Sequence, residues 1–382
     1  MDKMKLTLCA TCLFGLEHLL GEEIDRLGYR RLETMDGRII YEGDEQAVAF
    51  SNVFLRFAER VYIQLGDRFD APDFDSLFEG VKALPWELLI GRDDAFPVKG
   101  HSVRSVLSSV PACQKIVKKA IATRLGRQYG LSRMPETGVT CQVVFFLFRD
   151  RAQLLIDTSG EPLFKRGYRT ETGEAPIRET LAAAIAALSR PRENVLLWDP
   201  MCGSGTIAIE AAMQMRRIAP GKKRRFAAEQ FAALPPSVWQ TAREQAADEE
   251  IDTAFEAYAS DIDPAMAELA AENARRAGVS DRVKCFTADA LSISSDGRRG
   301  TIVTNPPYGE RMGTADEVEA LYRGMGTHFR SLAPWQVYVI TSHPAFERLY
   351  GRRADKVRKL YNGMIPCSLY QYFKNDRTYK KD

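Results

Sequence analysis

The tetrapeptide Asn305-Pro306-Pro307-Tyr308 has residue types that suit chemistry on a planar amine, and it directly follows the apolar run 301–304. Its two prolines exclude helix and keep the backbone extended. The Asn305 amide oxygen and the Pro306 carbonyl could accept both N–H groups of an exocyclic amine, so that its lone pair faces a methyl donor. Tyr308 could stack on the ring that carries this amine. The motif therefore predicts methylation of an aromatic amine or an amide.

A glycine-rich loop at residues 199–206, with the sequence DPMCGSGT, predicts the binding site of a nucleotide-like ligand. It joins an apolar strand to an Ala-rich helix, which is where a doubly wound sheet binds such ligands. Gly203 and Gly205 let the backbone approach the ligand, and the free amides of the helix beginning near Thr206 suit a carboxylate. The spacing G-x-G-x-x-A also permits a dinucleotide, so the loop alone does not identify the ligand.

Acidic residues follow the next two predicted strands. Asp261 ends one strand and could accept hydrogen bonds from both hydroxyls of a ribose. Asp263 precedes Pro264 and is predicted to cap a helix. Asp289 follows the strand 283–286, where it could meet the amino group of an adenine. The expected arrangement is therefore Asp261 at the ribose and Asp289 at the base.

The elements that position these residues alternate between strand and helix from residue 194 onward. The predicted strands are 195–198, 257–260, 283–286, 301–304 and 336–341, and the predicted helices are 206–215 and 266–277. This alternation predicts a parallel sheet with helices on both faces. An insertion at 215–255 is expected to begin as a basic helical arm. Its basic residues are Arg216, Arg217, Lys222 and Lys223, followed by Arg224 and Arg225.

The first half of the chain predicts a smaller mixed α/β unit up to about residue 67, followed by a basic region. Residues 99–133 contain basic side chains and no acidic one, although the whole chain has 53 Lys+Arg against 51 Asp+Glu. Apolar residues keep a helical period through 116–129, which places the basic side chains on the solvated face of a helix. Lys115, Lys118, Lys119 and Arg124 could contact a phosphate backbone there, or simply face solvent.

Composition excludes some classes of protein. No apolar run reaches transmembrane length, and the N-terminus lacks the plan of a secretory signal, so we expect a soluble cytosolic protein. Seven scattered cysteines indicate reduced thiols. Cys9 and Cys12 have metal-ligand spacing, with His18 nearby, but a second such pair is absent from the sequence. We therefore expect these cysteines in the core and no metal site.

The motifs from Lys165 to Lys374 resemble those of the THUMP-containing RNA methyltransferases, in particular the bacterial group that modifies guanine N2 in large-subunit (23S) ribosomal RNA. The matching segments are 165–169 (KRGYR), 174–182 (EAPIRETLA), the glycine loop and the Asn305 tetrapeptide. The resemblance implies a C-terminal Rossmann-like class I methyltransferase domain at 161–382. It also implies an N-terminal ferredoxin-like domain at 1–66 and an RNA-binding THUMP domain at 67–160, both α/β.

The resemblance also implies roles for individual residues, with S-adenosylmethionine as cofactor. Asp199, Gly203 and Gly205 would bind its methionine end, Asp261 its ribose and Asp289 its adenine, and Thr206 and Asn305 would also belong to the cofactor-binding residues. The wall of this site would be formed by Ala175, Pro176 and Thr180. The RNA partner, expected to be ribosomal RNA, would be held by Lys115, Lys118, Lys119, Arg124, Arg216, Arg217, Lys222 and Lys223.

Several other functions are compatible with the same motifs. The Asn305 tetrapeptide serves any planar amine or amide, so transfer RNA, an adenine of DNA, or a glutamine of a protein could be the substrate. A protein that keeps the fold without catalysis could instead bind RNA during ribosome assembly. A dinucleotide oxidoreductase fits the glycine loop but leaves the tetrapeptide without a role.

Overall fold

The computed structural model describes residues 4–169, 177–307 and 314–373. Ala175, Pro176 and Tyr308, which carry predicted roles, lie outside these ranges. The chain divides into two compact units. The N-terminal unit contains residues 1–12, 20–163 and 223–245, and the C-terminal unit contains residues 13–19, 164–222 and 246–382. The predicted boundaries near residues 66 and 160 stay a prediction.

One continuous sheet runs through the N-terminal unit. In chain order the elements up to residue 157 are β1 (Leu6–Thr11), α1 (Glu17–Arg26), β2 (Arg31–Met35), β3 (Arg38–Gly43), α2 (Glu45–Phe54), β4 (Arg60–Gln64), β5 (Phe69–Asp70), α3 (Phe74–Ala83), β6 (Val98–Val103), α4 (Val110–Tyr129), β7 (Val143–Phe148) and β8 (Arg151–Asp157). The strand order is β2-β3-β1-β4-β8-β7-β6, with β5 paired to β8. Pairing of β4 with β8 therefore joins the two predicted N-terminal α/β parts into one sheet.

Helix α4 confirms the amphipathic helix predicted for the basic region. Its buried face contains Cys113, Val117, Ala120, Ile121 and Leu125, which recur at the spacing of successive helical turns. The helix ends at residue 129, since the next residue is a glycine in the left-handed conformation, which stops helices at little steric cost. The polar face of α4 consequently presents the basic side chains away from the core.

The C-terminal unit is built on a second, mostly parallel sheet. The elements from residue 177 onward are α5 (Glu179–Ser189), β9 (Leu196–Asp199), α6 (Thr206–Met215), α7 (Pro236–Asp248), β10 (Ala257–Asp261), α8 (Pro264–Ala277), β11 (Val283–Thr287), β12 (Gly300–Thr304), α9 (Ala315–Ser331), β13 (Gln336–Thr341), α10 (Phe346–Tyr350), β14 (Lys356–Asn362) and β15 (Ile365–Tyr372). The strand order is β11-β10-β9-β12-β13-β15-β14, and β15 runs antiparallel to β13 and β14.

An aromatic core fills one face of this second sheet. Trp198 of β9 packs against Trp335 at a centroid distance of 6.3 Å, and Phe346 lies 5.0 Å from the ring of Tyr322 on α9. Such large buried rings contribute much of the apolar area that stabilises a domain. The core therefore fixes the strands whose carboxyl ends carry the predicted site.

The insertion differs from the predicted basic helical arm. Residues 216–225 form turns after α6, and the helix of this region, α7, begins only at Pro236. Arg224 is buried and donates to the Glu161 carbonyl at 2.8 Å, while the Ala228 amide donates to the Thr158 carbonyl at 3.1 Å. The prediction of a helix for 216–225 was wrong because Pro220 and Gly221 interrupt the basic run, and both residue types disfavour a helix interior.

Candidate active site

Polar residues gather where neighbouring parallel strands of the second sheet end. Strand β9 lies between β10 and β12 and is parallel to both. The chain continues from β9 toward β10 and later returns to β12 on the other side, so the strand order reverses here. At such a switch point the connecting loops diverge and leave a crevice that binds ligands. Asp199 ends β9, Asp261 ends β10 and Asn305 follows β12.

The glycine loop after β9 is held in place by the end of β10. The Cys202 amide donates to the Ser260 carbonyl at 3.0 Å, and the Gly203 amide donates to the Asp261 carboxylate at 2.9 Å. Gly203 and Gly205 have φ angles of +49° and +78°, which glycine adopts at little cost. Helix α6 begins directly after Gly205, so its free amides point toward the crevice.

Asn273 also supports the glycine loop, and the sequence analysis did not identify it. This residue of α8 is fully buried, and its side-chain amide donates to the Ser204 carbonyl at 3.0 Å. A carbonyl held in this way keeps the adjacent peptide planes oriented. The only signal in the sequence is an asparagine on the otherwise apolar face of a predicted helix, which does not reveal its partner.

A pair of alanine substitutions in the loop should separate backbone strain from steric overlap. A Cβ atom at Gly205 would lie 2.8 Å from the Ala270 Cβ atom, whereas no described heavy atom lies within 4 Å of a Cβ atom at Gly203. We expect Gly203→Ala to lower the free energy of unfolding by about 1 kcal/mol, the cost of a left-handed alanine. Gly205→Ala should cost about 1 to 3 kcal/mol more, because α8 must also move.

Urea denaturation, monitored by circular dichroism, measures the free energy of unfolding of both variants. Equal losses in the two variants would show that contact between the loop and α8 contributes nothing beyond the φ requirement.

Asp199 lies inside the sheet and connects the two strands on either side of the switch point. It is 1 % exposed, and its carboxylate accepts a hydrogen bond of 2.8 Å from the Thr304 hydroxyl at the end of β12. Burial raises the pKa of Asp199 to about 7, although the hydrogen bonds from Thr304 and the Met201 amide oppose this shift. Asp199 therefore fixes the end of β9 beside the residue that precedes Asn305.

The two other predicted cofactor carboxylates lie at the surface of the crevice. Asp261 is half-buried, and besides the Gly203 amide it accepts from the Asp263 amide at 3.1 Å. Asp263 caps α8 by accepting from the Ala265 amide at 2.9 Å, which confirms the predicted cap. Asp289 is exposed after β11 and accepts from the Leu291 amide at 2.9 Å. A carboxylate has about four acceptor positions, so each retains capacity for a ligand.

Asn305 lies between two residues that are anchored from either side. Thr304 bonds to Asp199, and the Pro307 carbonyl accepts a hydrogen bond of 2.8 Å from the hydroxyl of Tyr322 on α9. Because Pro306 also has a restricted φ angle, the backbone on both sides of Asn305 is fixed. Among the residues that the structure describes, none forms a hydrogen bond with the Asn305 side chain.

Tyr322 was not expected at the site. Its hydroxyl lies 3.1 Å from the Thr341 hydroxyl as well as bonding to Pro307, and the residue is fully buried. Tyr322 lies at the same helical spacing as the other buried residues of α9, so the sequence predicts a core position for it and no role at the site.

Buried polar contacts hold both flanks of segment 170–176, which itself lies outside the described residues. Tyr168 donates to the Glu210 carboxylate on α6 at 3.1 Å, and the Arg169 guanidinium donates to the Ile177 carbonyl at 3.0 Å. Thr180 is buried in the first turn of α5, close in sequence to this segment. Thr206, the first residue of α6, is also buried and lies 3.0 Å from the Ser204 hydroxyl.

The basic residues that are predicted to contact RNA on α4 differ in their exposure and in their ion pairs. Lys115 and Lys119 are exposed, whereas Lys118 pairs with Glu136 and Arg124 pairs with Glu87. These acidic partners come from other segments, so the charge run in the sequence could not reveal them. Lys115 and Lys119 line a cavity of about 510 Å³ beside β6.

The second predicted basic group is also partly paired. Arg216 lies 3.3 Å from Asp281, and Lys222 lies 2.7 Å from Glu250, while Arg217 and Lys223 are exposed. Exposed ion pairs stabilise little, and they exchange readily for a phosphate. All eight basic residues therefore remain predictions as RNA contacts.

Cys9 and Cys12 are both buried, which confirms the core assignment. Burial raises the pKa of the Cys9 thiol to about 12, so it is a poor ligand or nucleophile at neutral pH. In the described parts of the chain, no group of three or more His, Cys, Asp or Glu residues is placed to hold a metal ion. Within those same ranges no helix is both long and apolar enough to span a bilayer.

The fold and site define a protein with a Rossmann-like methyltransferase domain preceded by ferredoxin-like and THUMP domains. The sequence matches three families: the RMKL-like, methyltransferase domain over residues 166–371, the RlmL ferredoxin-like domain over residues 7–62 and the THUMP domain over residues 71–157. The chain therefore belongs to the RMKL-like methyltransferase family, and the expected family and fold class are confirmed.

Two relatives and two solved structures show how far the similarity extends. The "Putative RNA methyltransferase YpsC" of Bacillus subtilis (strain 168) is 42% identical over 380 residues, covering 99% of this chain and 98% of that protein. The ribosomal RNA large subunit methyltransferase K/L of Psychromonas ingrahamii (strain DSM 17664 / CCUG 51855 / 37) is 34% identical over 371 residues, covering 94% of this chain and 49% of that protein.

The solved structures match along nearly the whole chain. A predicted N6-adenine-specific DNA methylase from Listeria monocytogenes str. 4b F2365 has a TM-score of 0.91 and 43% identity, covering 97% of this chain and 96% of its own. The methyltransferase-like protein SMU.472, solved with S-adenosylhomocysteine (SAH), has a TM-score of 0.90 and 39% identity, covering 98% of this chain and 99% of its own.

Proposed function

We propose that this protein transfers a methyl group from S-adenosylmethionine to guanine N2 in large-subunit (23S) ribosomal RNA. One observation carries the proposal. Asn305 follows β12, and hydrogen bonds hold the residues on both sides of it, Thr304 and Pro307. Strand β12 is paired with β9, which is followed by the glycine loop. Family membership supports methyl transfer as the reaction class. The names of the Bacillus and Psychromonas relatives support RNA, and the Psychromonas name supports large-subunit ribosomal RNA.

The residues around the glycine loop fit S-adenosylmethionine. No described heavy atom lies within 4 Å of a Cβ atom placed at Gly203, and this space and the free amides of α6 suit the carboxylate of the methionine end, near Gly205 and Thr206. Asp261 would accept from the ribose hydroxyls, and Asp289 from the adenine amino group. SMU.472 binds the demethylated product of this cofactor, which supports the same choice here. We keep Ala175, Pro176 and Thr180 as the wall of this site and Asp199 as support for its methionine end.

The chain's own residues would activate the guanine amine by orienting it. The bound cofactor supplies a methyl group on a positively charged sulfur. The N2 lone pair of guanine is delocalised into the ring, so it is a weak nucleophile. The Asn305 amide oxygen and the Pro306 carbonyl would accept its two N–H groups and favour a pyramidal nitrogen whose lone pair faces the methyl group. Pro307 would keep this geometry through Tyr322, and Tyr308 would stack on the base.

The RNA would be held mainly by exposed basic side chains. Lys115 and Lys119 on α4 and Arg217 in the insertion have no described acidic partner at ion-pair distance that would have to be displaced first, and Lys223 is also exposed. Lys118, Arg124, Arg216 and Lys222 would exchange their carboxylate partners for phosphate groups. Affinity should consequently fall as the salt concentration rises.

Transfer of tritiated methyl groups to competing substrates tests the proposal. Ribosomal RNA and transfer RNA from cells that lack this protein, duplex DNA and a denatured protein mixture are each incubated with enzyme and labelled cofactor. We expect label in large-subunit ribosomal RNA, and N2-methylguanosine after digestion to nucleosides. Label that appears instead in transfer RNA or on another base would refute the substrate assignment while leaving the reaction class intact.

Adenine methylation in DNA is the alternative with specific support, because the Listeria structure carries that name and an adenine amine fits the Asn305 site equally well. Preferential labelling of duplex DNA would establish it. Protein glutamine methylation would label the protein mixture. If no substrate is labelled although RNA binds, the non-catalytic assembly function gains support, and retention of NAD in place of S-adenosylmethionine would indicate an oxidoreductase.

A further inference from the structure

An exposed apolar and basic surface lies at the ends of β6 and β7 in the N-terminal unit. We define this hairpin-tip surface by Val103, Arg104, Val106, Phe148 and Arg149. Val103, Val106 and Phe148 are 52%, 72% and 50% exposed, respectively. Val103 and Phe148 are register partners in the parallel β6–β7 pair, so they lie side by side. Three large apolar side chains that are exposed together usually mark a binding surface.

Hydrogen bonds hold the two loops of this surface together. The Val106 amide donates to the Asp150 carboxylate at 2.7 Å, and the Asp150 amide donates to the Ser105 hydroxyl at 3.0 Å. Arg104, Arg149 and Asp150 have φ angles of +53°, +51° and +60°, which are uncommon for residues other than glycine. This combination fixes the backbone of the two loops before any partner binds, so little backbone entropy remains to be lost on binding.

The charges of the hairpin-tip surface favour an anionic partner. The Arg149 guanidinium lies 5.2 Å from the centroid of the Phe148 ring, and Arg104 is exposed. The nearest carboxylate in sequence, that of Asp150, already accepts the Val106 amide. Guanidinium groups beside an exposed aromatic ring suit a strand that offers both phosphates and stackable bases.

We propose that the hairpin-tip surface binds an unpaired nucleotide of the RNA substrate. The base would stack on the Phe148 ring with its edge against Val103 and Val106, and the flanking phosphates would pair with Arg104 and Arg149. The faces of bases inside a duplex are covered by their neighbours, so the surface selects single-stranded segments. The inference rests on the proposed function for its substrate class but concerns binding, which is measured separately from methyl transfer.

The test measures binding of fluorescein-labelled RNA to the full-length protein by polarisation. The probes are a 12-nucleotide oligouridine, a mixed-sequence single strand and a duplex of that same sequence. Phe148→Ala should weaken binding of both single strands roughly tenfold, and Phe148→Trp should restore it, because loss of one stacked base costs about that much. Binding of the duplex should remain within about twofold. Phe74→Ala removes a ring that is 39% exposed at the start of α3 and serves as the matched control.

Three outcomes would overturn the inference: unchanged single-strand affinity in Phe148→Ala, equal weakening of single strands and duplex, or dissociation of a wild-type dimer by this substitution in sedimentation. The thermal unfolding temperature and S-adenosylmethionine binding of Phe148→Ala show whether the variant is folded. Arg149→Ala gives a second test, since it should weaken single-strand binding and flatten its salt dependence. If methyl transfer to RNA is absent but these binding differences appear, the proposed function fails and this inference stands.

Discussion

Replacement of Asn305 by alanine is expected to lower the rate of methyl transfer at least about a hundredfold, the usual loss when one oriented polar contact to a reacting group is removed. The affinity for S-adenosylmethionine should change by less than about twofold, since the glycine loop and Asp261 remain. The backbone should also stay in place, because Thr304 bonds to Asp199 and Pro307 bonds to Tyr322 without the Asn305 side chain.

Single-turnover transfer of tritiated methyl groups and calorimetry of cofactor binding measure the two effects separately. Asn194→Ala is the matched control, because Asn194 lies exposed in the turn before β9 of the same unit. It should keep the wild-type rate and cofactor affinity. Wild-type turnover in Asn305→Ala would show that this amide does not orient the amine. Loss of cofactor binding in that variant would assign Asn305 to the cofactor instead.

Tyr322 shows why the sequence could predict the motif but not what supports it. The tetrapeptide was identified from local order, since a strand followed by Asn-Pro-Pro-Tyr needs no knowledge of distant residues. The hydroxyl that fixes the Pro307 carbonyl comes from α9, and its residue occupies an apolar position of that helix. Asn273 is a similar case, being 69 residues from the Ser204 carbonyl that it holds. Such contacts depend on tertiary packing, which a periodic pattern does not specify.

The parallel strands were predictable for a related reason. Strands covered on both faces consist of short apolar runs, as in β9 and β12, and these runs are visible in the sequence. The antiparallel hairpin of β14 and β15 was not predicted. Strand β14 lies at the sheet edge and contains Lys356, Arg358 and Lys359, so it lacks an apolar run. Charged side chains are typical of edge strands, where they oppose pairing with another chain.

Asp261, which ends β10, and Asp263, two residues later, allow a direct test of which acid binds the cofactor. Asp261→Ala is expected to weaken S-adenosylmethionine binding about a hundredfold, because a charged acceptor for two ribose hydroxyls is lost. The Gly203 amide would lose its acceptor as well, which loosens the loop that receives the methionine end. Both effects follow from the position of one carboxylate between the glycine loop and the crevice.

Asp263→Ala provides the matched comparison, two residues along the same turn. Its carboxylate caps α8 through the Ala265 amide, so its loss should cost about 1 kcal/mol of unfolding free energy and leave cofactor affinity within about twofold. Calorimetric titration and urea denaturation of both variants measure these quantities. If Asp263→Ala lost the cofactor while Asp261→Ala retained it, the ribose would have to bind at the helix cap, and the crevice would be used in a different orientation from the one proposed. The Asp263 group that donates to Asp261 is the backbone amide, which Asp263→Ala retains. The double variant should therefore lose no more affinity than Asp261→Ala alone if the Asp263 side chain acts only through α8.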